Sequence, residues 1–199
     1  MLEVAKIRKD FPMLNGTKMH DQPLIYFDNG ATTLKPQCVI DAVCNYLTNY
    51  SGNAHRGDYD LSHDVDVQFE RTRELVSKFI NCDSKEVVYT YGSTDGLNLV
   101  AFGYGLTHLN EGDEVLITLA EHASNTLPWF EVSKQTGSVV KYIDLDEDGR
   151  LTVENVIKAI SDKTKIISIA QITNVLGFDS PIKEICKIAH EKGIIVCVD

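Results

Sequence analysis

The sequence lacks the features that mark membrane, secreted and nucleic-acid-binding proteins. No apolar run approaches the roughly 20 residues of a membrane-spanning helix. The N-terminus mixes charges and has no apolar core of the signal-peptide type. Basic residues are few, 19 against 29 acidic ones, and the net charge of −10 argues against nucleic acid or an anionic membrane as the main partner. We therefore expect a soluble, cytoplasmic protein.

The cysteines do not form the pairs that mark metal or redox sites. There are five, an odd number, and none forms a C-x-x-C pair, so we expect reduced thiols and no metal site. The composition is otherwise that of an ordinary globular protein, with 43% hydrophobic and 24% charged residues. A chain of 199 residues can bury a sizeable core.

What the sequence does contain is a regular alternation of strand and helix patterns. Strands are predicted at 24–27, 86–89, 113–119, 139–144, 164–172 and 194–198, and helices at 37–50, 62–80, 97–104, 125–135, 152–160 and 182–191. We expect Ser62 to cap the second of these helices. Residues 1–20 are polar and rich in turn residues, which indicates an N-terminal arm. The alternation predicts an α/β fold with a mostly parallel sheet flanked by helices.

The turn at residues 90–98, Thr-Tyr-Gly-Ser-Thr-Asp-Gly-Leu-Asn, joins a predicted strand to a predicted helix. The first N–H groups of a helix have no partner within it, and this end carries a partial positive charge. With two hydroxyls beside them, such groups suit a phosphate. The spacing matches neither the Walker pattern nor G-x-G-x-x-G. A helix simply capped by Ser93 or Thr94 is the alternative, and the turn alone leaves both interpretations open.

Several predicted strands end in polar groups that would suit one ligand. In parallel sheets, ligands bind outside the carboxyl ends of the strands. The strands here end in Ser93 and Thr94, in His122, in Asn174 and in Asp199. Each of these residues alone could be a turn residue or a helix cap. Together they fit pyridoxal 5′-phosphate (PLP), because a carboxylate keeps the ring nitrogen protonated and the protonated ring is an electron sink.

The motifs that contain these residues resemble the class V aminotransferase group of fold-type I PLP enzymes. The likeness is greatest to the SUF-type (group II) cysteine desulfurases and selenocysteine lyases. Residues 26–36 are similar to the family's Y-L-D-N-A-A-T-T-x-K-P, 53–62 to N-x-H-R-G-x-H-x-L-S, 90–98 to T-x-G-T-T-E-A-I-N, 121–129 to E-H-H-S-N-x-x-P-W, 174–177 to the end of S-N-V-L-G, and 198–199 to the start of V-D-G-A-Q. The likeness runs from about residue 5 to the last residue.

The resemblance implies a role for each matched residue. Ser93 and Thr94 would bind the PLP phosphate, and Asp199 would pair with the pyridinium nitrogen. His122 would stack on the ring and assist proton transfer. Asn174 would contact the phenolic oxygen of the ring or the carboxylate of the substrate. On the substrate side the resemblance places Ala31 and His55.

The resemblance also implies the reaction and the partners. Sulfur would be removed from L-cysteine, or from L-selenocysteine as the selenium analogue, leaving L-alanine and an enzyme persulfide in the cysteine case. A sulfur-acceptor protein would take the persulfide for iron–sulfur cluster assembly. The protein would be a homodimer, with the 53–57 loop near its interface. Residues 21–199 would form the N-terminal part of the PLP-binding large domain.

The sequence also departs from the family pattern. Tyr59 and Ala123 stand where the family has histidines, whereas Ser93 preserves the hydroxyl of the family's Thr and Asp95 the charge of its Glu. The family's Schiff-base lysine and persulfide cysteine lie in segments with no counterpart among these residues. We therefore expect a fragment that is inactive alone. Another class V enzyme, of the kynureninase or epimerase type, and a non-catalytic remnant are the alternatives.

Overall fold

The computed structural model describes residues 2–199. Met1, the first residue of the predicted arm, lies outside the described residues. The chain divides into two compact units, one ending at Val88 and the other spanning Tyr89–Asp199. The predicted division into an arm of residues 1–20 and a domain of residues 21–199 stays a prediction.

The first unit is mainly helical. Its elements are α1 (Val4–Lys9), α2 (Pro12–Gly16), the short strands β1 (Lys18–Met19) and β2 (Gln22–Pro23), α3 (Gln37–Asn45) with a π-helical extension (Tyr46–Tyr50), α4 (Asp60–Ile80) and a 3-10 turn (Ser84–Glu86). β1 and β2 form an antiparallel hairpin. No described residue of α1 or α2 is buried, in keeping with the polar pattern of the predicted arm.

The helices predicted at 37–50 and 62–80 are confirmed, but the expected cap of the second is wrong. α4 begins at Asp60, and Ser62 lies inside its first turn. The Ser62 side chain is fully buried, and its hydroxyl donates to the backbone oxygen of Asn53 at 2.8 Å. The loop before the helix folds back onto this hydroxyl, so it cannot serve the helix backbone.

Two predicted strands are wrong, at 24–27 and at 86–89. Residues 24–27 pair with no described strand, and Phe27 is 94% exposed. Residues 84–86 form a 3-10 turn that Asp83 caps, and residues 87–90 continue without a strand partner in the described part of the chain. An apolar, β-branched run becomes a strand only where a neighbour takes up its backbone N–H and C=O groups.

The second unit is an α/β arrangement. Its elements are α5 (Ser93–Asn98), which continues through a π-helical segment (Leu99–Gly105) into α6 (Leu106–His108), then β3 (Glu114–Thr118), α7 (Ala123–Thr136), β4 (Val139–Ile143), α8 (Val153–Ala159), β5 (Thr164–Ile169), α9 (Ile182–Glu191) and β6 (Ile195–Val198). The strands run parallel in the order β4-β3-β5-β6. The strands and helices predicted in this half are confirmed to within a few residues.

The sheet has an apolar core on each face. All five residues of β3 are buried, as expected for a central strand covered on both sides. Leu116 packs with residues of α8 and α9, whereas Val115 and Ile117 pack with Trp129 of α7 and with the helix after the 90–98 turn. Alternate side chains of one strand thus hold helices on opposite faces. The structure therefore confirms the predicted α/β fold, a parallel sheet flanked by helices.

No helix in the described residues is both long enough and apolar enough to span a membrane.

Candidate functional site

The turn at residues 90–98 forms an open donor cup at the start of a helix. Gly92 is the N-cap residue, with φ 152° and ψ 176°, a conformation that residues with a Cβ rarely adopt. The alternative interpretation, a cap by Ser93 or Thr94, is wrong, because neither hydroxyl bonds to the helix backbone. Within residues 2–199, the backbone N–H groups and the hydroxyls of Ser93 and Thr94 have no hydrogen-bond partner, and both residues are exposed. These groups are free to hold an anion.

Side-chain hydrogen bonds fix the turn itself. The Thr90 hydroxyl donates to the backbone oxygen of Gly92 at 3.0 Å, and the Asp95 carboxylate accepts the N–H of Tyr91 at 3.2 Å. The amide of Asn98 donates to the backbone oxygen of Thr94 at 2.9 Å. None of these bonds uses the N–H or hydroxyl groups of Ser93 and Thr94, so the donors of the cup do not have to be released for a ligand.

His122 occupies the N-cap position of α7. Its Nδ1 accepts the backbone N–H of Ser124 at 3.2 Å and lies 2.6 Å from the Ser124 hydroxyl. Because Nδ1 accepts a hydrogen bond, the neutral ring carries its proton on Nε2. The side chain is exposed. The ring is thus held at one nitrogen, while the other is available to a ligand.

Thr94 and His122 line the same groove. Its volume is about 520 Å³, and its apolar wall includes Phe102, Leu127 and Pro128. The structure therefore brings together two of the residues predicted from separate motifs. An anion cup and an imidazole share one apolar surface, as a phosphorylated aromatic ligand requires.

Asp199 follows β6 and stays in register with β5. Its N–H donates to the oxygen of Ile169 at 3.0 Å, and its carbonyl accepts the N–H of Gln171 at 2.9 Å. Its carboxylate interacts electrostatically with the carboxylate of Glu121, the residue before His122. The carboxyl ends of β3, β5 and β6 therefore meet here, as the sequence predicts.

Glu121 is the centre of a polar network that the sequence analysis left unassigned. Its carboxylate accepts the Thr118 hydroxyl at 2.7 Å and the Asn125 amide at 2.8 Å. Asn125 in turn accepts the Ser168 hydroxyl at 2.6 Å, and both Asn125 and Ser168 are fully buried. Burial raises the pKa of Glu121 and the Asp199 carboxylate raises it further, while the hydrogen bonds from Thr118 and Asn125 oppose the shift.

No hydrogen bond in the described residues ties the other predicted site residues to Thr94, His122 or Asp199. Asn174 is exposed in a tight loop after β5, closed by the Thr173 N–H to Phe178 oxygen bond at 3.1 Å. Ala31 and His55 belong to the first unit. The Nδ1 of His55 lies 3.4 Å from the Asp66 carboxylate, and Ala31 is exposed in a turn.

Three residues of this network, Glu121, Asn125 and Ser168, have no predicted role, and the sequence marks only the first of them. Glu121 stands in the motif that supplied His122, and its position directly after a buried strand marks it as a candidate. Asn125 and Ser168 looked like an ordinary helix residue and an ordinary strand residue. Only the packing of α7 on β5 makes partners of them.

The residues present fit PLP in three respects. The free donors of Ser93 and Thr94 suit a phosphate, the exposed His122 ring offers a flat surface in the same groove, and Asp199 offers a carboxylate beside the neighbouring strand end. The fit does not extend to Asn174, Ala31 and His55, whose roles stay predictions.

Known proteins support the same assignment. The sequence profile of the Aminotransferase class-V family matches residues 25–199. The chain is 44% identical over 199 residues to a probable cysteine desulfurase of Halalkalibacterium halodurans, covering 100% of this chain and 49% of that protein. It is 41% identical over 196 residues to a probable cysteine desulfurase of Synechocystis sp., covering 98% of this chain and 46% of that protein.

A solved structure shares the fold along the whole chain. The apo cysteine desulfurase from Thermococcus onnurineus NA1 superposes with a TM-score of 0.90 at 34% identity, covering 100% of this chain and 48% of that one. The chain thus spans about half the length of the curated relatives it matches. From the profile match, the identities and the shared fold, we conclude that the chain belongs to the aminotransferase class-V family.

Proposed function

We propose that this chain supplies the cofactor-binding half of a PLP-dependent cysteine desulfurase. The observation that carries the proposal is the shared groove, which is lined by both His122 and Thr94, a residue whose hydroxyl and N–H have no hydrogen-bond partner within residues 2–199. The family is one of PLP enzymes, and the relatives that match most of the chain are named cysteine desulfurases. Cytoplasmic localisation stays a prediction.

Ser93, Thr94 and Asp199 would hold the cofactor at its two ends. Both hydroxyls and both backbone N–H groups of Ser93 and Thr94 donate to the phosphate, reinforced by the helix N-terminus. At the other end, Asp199 pairs with the ring nitrogen and favours its protonated form. When bound, PLP supplies an electron sink for bonds at the substrate α-carbon.

His122 would bind the ring face and hold a proton beside the substrate. Because Nδ1 is engaged by Ser124, the proton that His122 offers is the one on Nε2. The Phe102 and Leu127 side of the groove keeps water from part of the ring. Asn174 is proposed to contact the phenolic oxygen or the substrate carboxylate, and Ala31 and His55 to lie on the substrate side.

The proposed substrate is L-cysteine, with L-selenocysteine as its analogue. The proposed products are L-alanine and a persulfide, which passes to a sulfur-acceptor protein for iron–sulfur cluster assembly. A homodimer is proposed for the whole protein. These proposals rest on the names of the relatives and on the matched motifs.

PLP binding tests the cofactor assignment directly. We expect the protein to bind PLP saturably, followed by absorbance, and the double variant Ser93→Ala with Thr94→Ala to bind at least about tenfold more weakly through loss of charge-assisted hydrogen bonds. Thr107→Ala is the matched control, because its exposed hydroxyl bonds to the backbone at the far end of the same helix. Equal affinities in the two variants would contradict the assignment.

The reaction is tested with L-cysteine. We expect PLP-dependent formation of L-alanine and sulfide in the presence of a thiol reductant, measured with the whole protein that carries this chain. Release of a product other than L-alanine would favour a different class V enzyme. Binding of PLP with no turnover of any amino acid would favour the non-catalytic alternative.

A further inference from the structure

The last hydrogen bonds between β5 and β6 are those that hold Asp199. The backbone oxygen of Ile169 accepts the N–H of Asp199, and the carbonyl of Asp199 accepts the N–H of Gln171. Ala170 stands between these two residues. Successive backbone groups of a strand point to opposite sides, so the N–H of Ala170 faces away from β6 and toward β3.

β3 has already ended at this level of the sheet. Leu116 pairs with Ile167, so continuing the register by three residues would place Leu119 opposite Ala170, beyond the last residue of β3. The chain turns away at Thr118, the last residue of β3, whose hydroxyl donates to the Glu121 carboxylate. Glu121 therefore lies where β3 stops, and the backbone N–H of Ala170 lowers its pKa in opposition to burial.

The same carboxylate is tied to the start of α7. Asn125 donates to Glu121, and its N–H donates to the backbone oxygen of His122 at 2.9 Å. The Asn125 side chain also accepts from the buried Ser168 of β5. One buried network therefore joins the helix start that carries His122 to the strand edge that carries Asp199.

We propose that Glu121 is a positioning residue that sets Asp199 and His122 relative to each other through the hydrogen-bond network at the end of β3. The inference rests on the proposed function for its consequence, since Asp199 and His122 are the groups assigned to the PLP ring. The geometry itself does not depend on that function. Glu121 acts through Asp199 and His122, without a contact of its own to the ligand.

The charged groups around the network are consistent with this role. The Asp199 carboxylate and the half-buried Cys197 thiol both interact with Glu121, and no cation among the described residues pairs with it. Two acidic groups therefore lie near one ring-binding edge. This negative potential favours the protonated ring nitrogen that the proposed function requires.

The chain offers a matched control in Glu114, at the other end of β3. Glu114 is buried and accepts three side-chain hydrogen bonds, whereas Glu121 is half-buried and accepts two, and Glu114 lies far along the strand from Asp199 and His122. We compare Glu121→Gln and Glu121→Ala with Glu114→Gln and Glu114→Ala in the same protein. Any general effect of losing a buried carboxylate appears in both pairs.

The first measurement is amide exchange by NMR in the absence of PLP. We expect the N–H groups of Gln171 and Asp199 to exchange at least about tenfold faster in Glu121→Ala, because their strand is no longer held from the β3 side. The Glu114 variants leave these two rates within about twofold of wild type. Unchanged rates in both Glu121 variants would overturn the positioning role, whether or not PLP binds.

The second measurement is the visible circular dichroism of bound PLP, which reports how the ring sits in the site. We expect the band to change in intensity or position in Glu121→Gln, with a PLP dissociation constant about tenfold higher, and to remain as in wild type in Glu114→Gln. A spectrum and affinity equal in these two variants would overturn the link to the ring. If the wild-type protein binds no PLP, the proposed function fails, and the amide exchange alone decides the positioning role.

The Gln variant guards against loss of folding. Glutamine keeps the volume of Glu121 and can still accept from Thr118, so Glu121→Gln is expected to fold even if Glu121→Ala does not. The buried Trp129 reports folding in each variant. If Glu121→Ala does not fold, only Glu121→Gln and Glu114→Gln are compared. The same differences in amide exchange and in PLP spectrum and affinity are expected between them.

Discussion

The two ends of β3 carry the same kind of residue in different surroundings. At the start of the strand, the carboxylate of Glu114 accepts from Lys141 at 2.5 Å, Ser161 at 2.6 Å and Thr164 at 3.3 Å. Just past its end, Glu121 accepts from Thr118 and Asn125 and faces another carboxylate, that of Asp199. One end has a cation, and the other has a second acid.

The difference separates a structural end of the sheet from the end at which we propose that the cofactor binds. Burial raises the pKa of Glu114, but the Lys141 ammonium and the two hydroxyls outweigh it and leave the pKa below its ordinary value of 4.5. Burial and Asp199 leave the pKa of Glu121 above 4.5. Perturbed acids without a cation concentrate where ligands bind, and ligands bind at the carboxyl ends of parallel strands.

The largest effect on stability is expected from Asn125→Ala. Asn125 is fully buried and joins Glu121 to Ser168, so its removal leaves the buried Ser168 hydroxyl without its acceptor, takes one of two side-chain donors from the half-buried Glu121 and opens a cavity. We expect a loss of about 2–4 kcal/mol in the free energy of unfolding of the second unit. Urea titration followed by fluorescence of the single Trp, Trp129, measures it. A loss below about 0.5 kcal/mol would mean that the network is not a structural element.

A smaller loss is expected from Glu114→Gln. The variant keeps the shape of the side chain but gives up the ion pair with Lys141, whose side chain is 47% exposed. We expect the free energy of unfolding to fall by about 1–2 kcal/mol in the same titration. The loss is moderate because water can solvate the Lys141 ammonium once the Glu114 carboxylate is gone. PLP affinity is expected to stay unchanged. A loss of PLP affinity would remove the distinction between the two ends of the strand.

The contributions of the two glutamates to the free energy of unfolding should change with pH in opposite directions between about pH 3 and pH 7. Because the pKa of Glu114 is lowered in the folded protein, its stabilising contribution is fully present above pH 4.5, the ordinary pKa of a glutamate. The contribution is lost as the pH falls through the lowered pKa of the folded protein. Because the pKa of Glu121 is raised in the folded protein, its stabilising contribution is fully present below pH 4.5. The contribution declines as the pH rises through the raised pKa of the folded protein.

Urea titrations across the pH range test this contrast. The stability difference between wild type and Glu114→Gln should grow with pH, and the difference between wild type and Glu121→Gln should shrink. Profiles with the same slope would show that the two sites have the same electrostatics.

The smallest effect is expected from salt. The Lys141 partner of Glu114 is half exposed, so about 0.5 M NaCl should reduce the cost of Glu114→Gln by a few tenths of a kcal/mol. The cost of Glu121→Gln should not fall, because no cation among the described residues pairs with Glu121 and salt screens its repulsion by the Asp199 carboxylate instead. Equal salt dependence of the two costs would contradict the assigned partners.

The sequence predicts the second unit better than the first. The run Glu-Val-Leu-Ile-Thr of β3 is apolar enough for a strand buried on both faces, and the structure places it at the centre of the sheet. The equally apolar residues 24–27 and 86–89 are not strands, because no described strand lies beside them. Local pattern gives the tendency to extend, and only a neighbouring strand satisfies the backbone.

The site follows the same division. Ser93, Thr94, His122 and Asp199 could be named from strand ends and from motif spacing. Their placement in a common groove or at a common edge depends on the packing of α7 against the sheet. The contribution of Glu121 could not be predicted, since its partner Asn125 and the residue that Asn125 binds, Ser168, are 43 residues apart in sequence and meet only in the folded core.

The sequence by itself determined the order of strands and helices in the second unit, the family and the chemical character of the site, because periodicity and short motifs are local properties of the chain. The tertiary structure alone decided which extended segments are strands and which buried polar groups are partners. It also decided that Glu114 has a cation while Glu121 faces an acid. Those outcomes depend on neighbours that are distant in sequence, and a carboxylate acquires its pKa and its role from such neighbours.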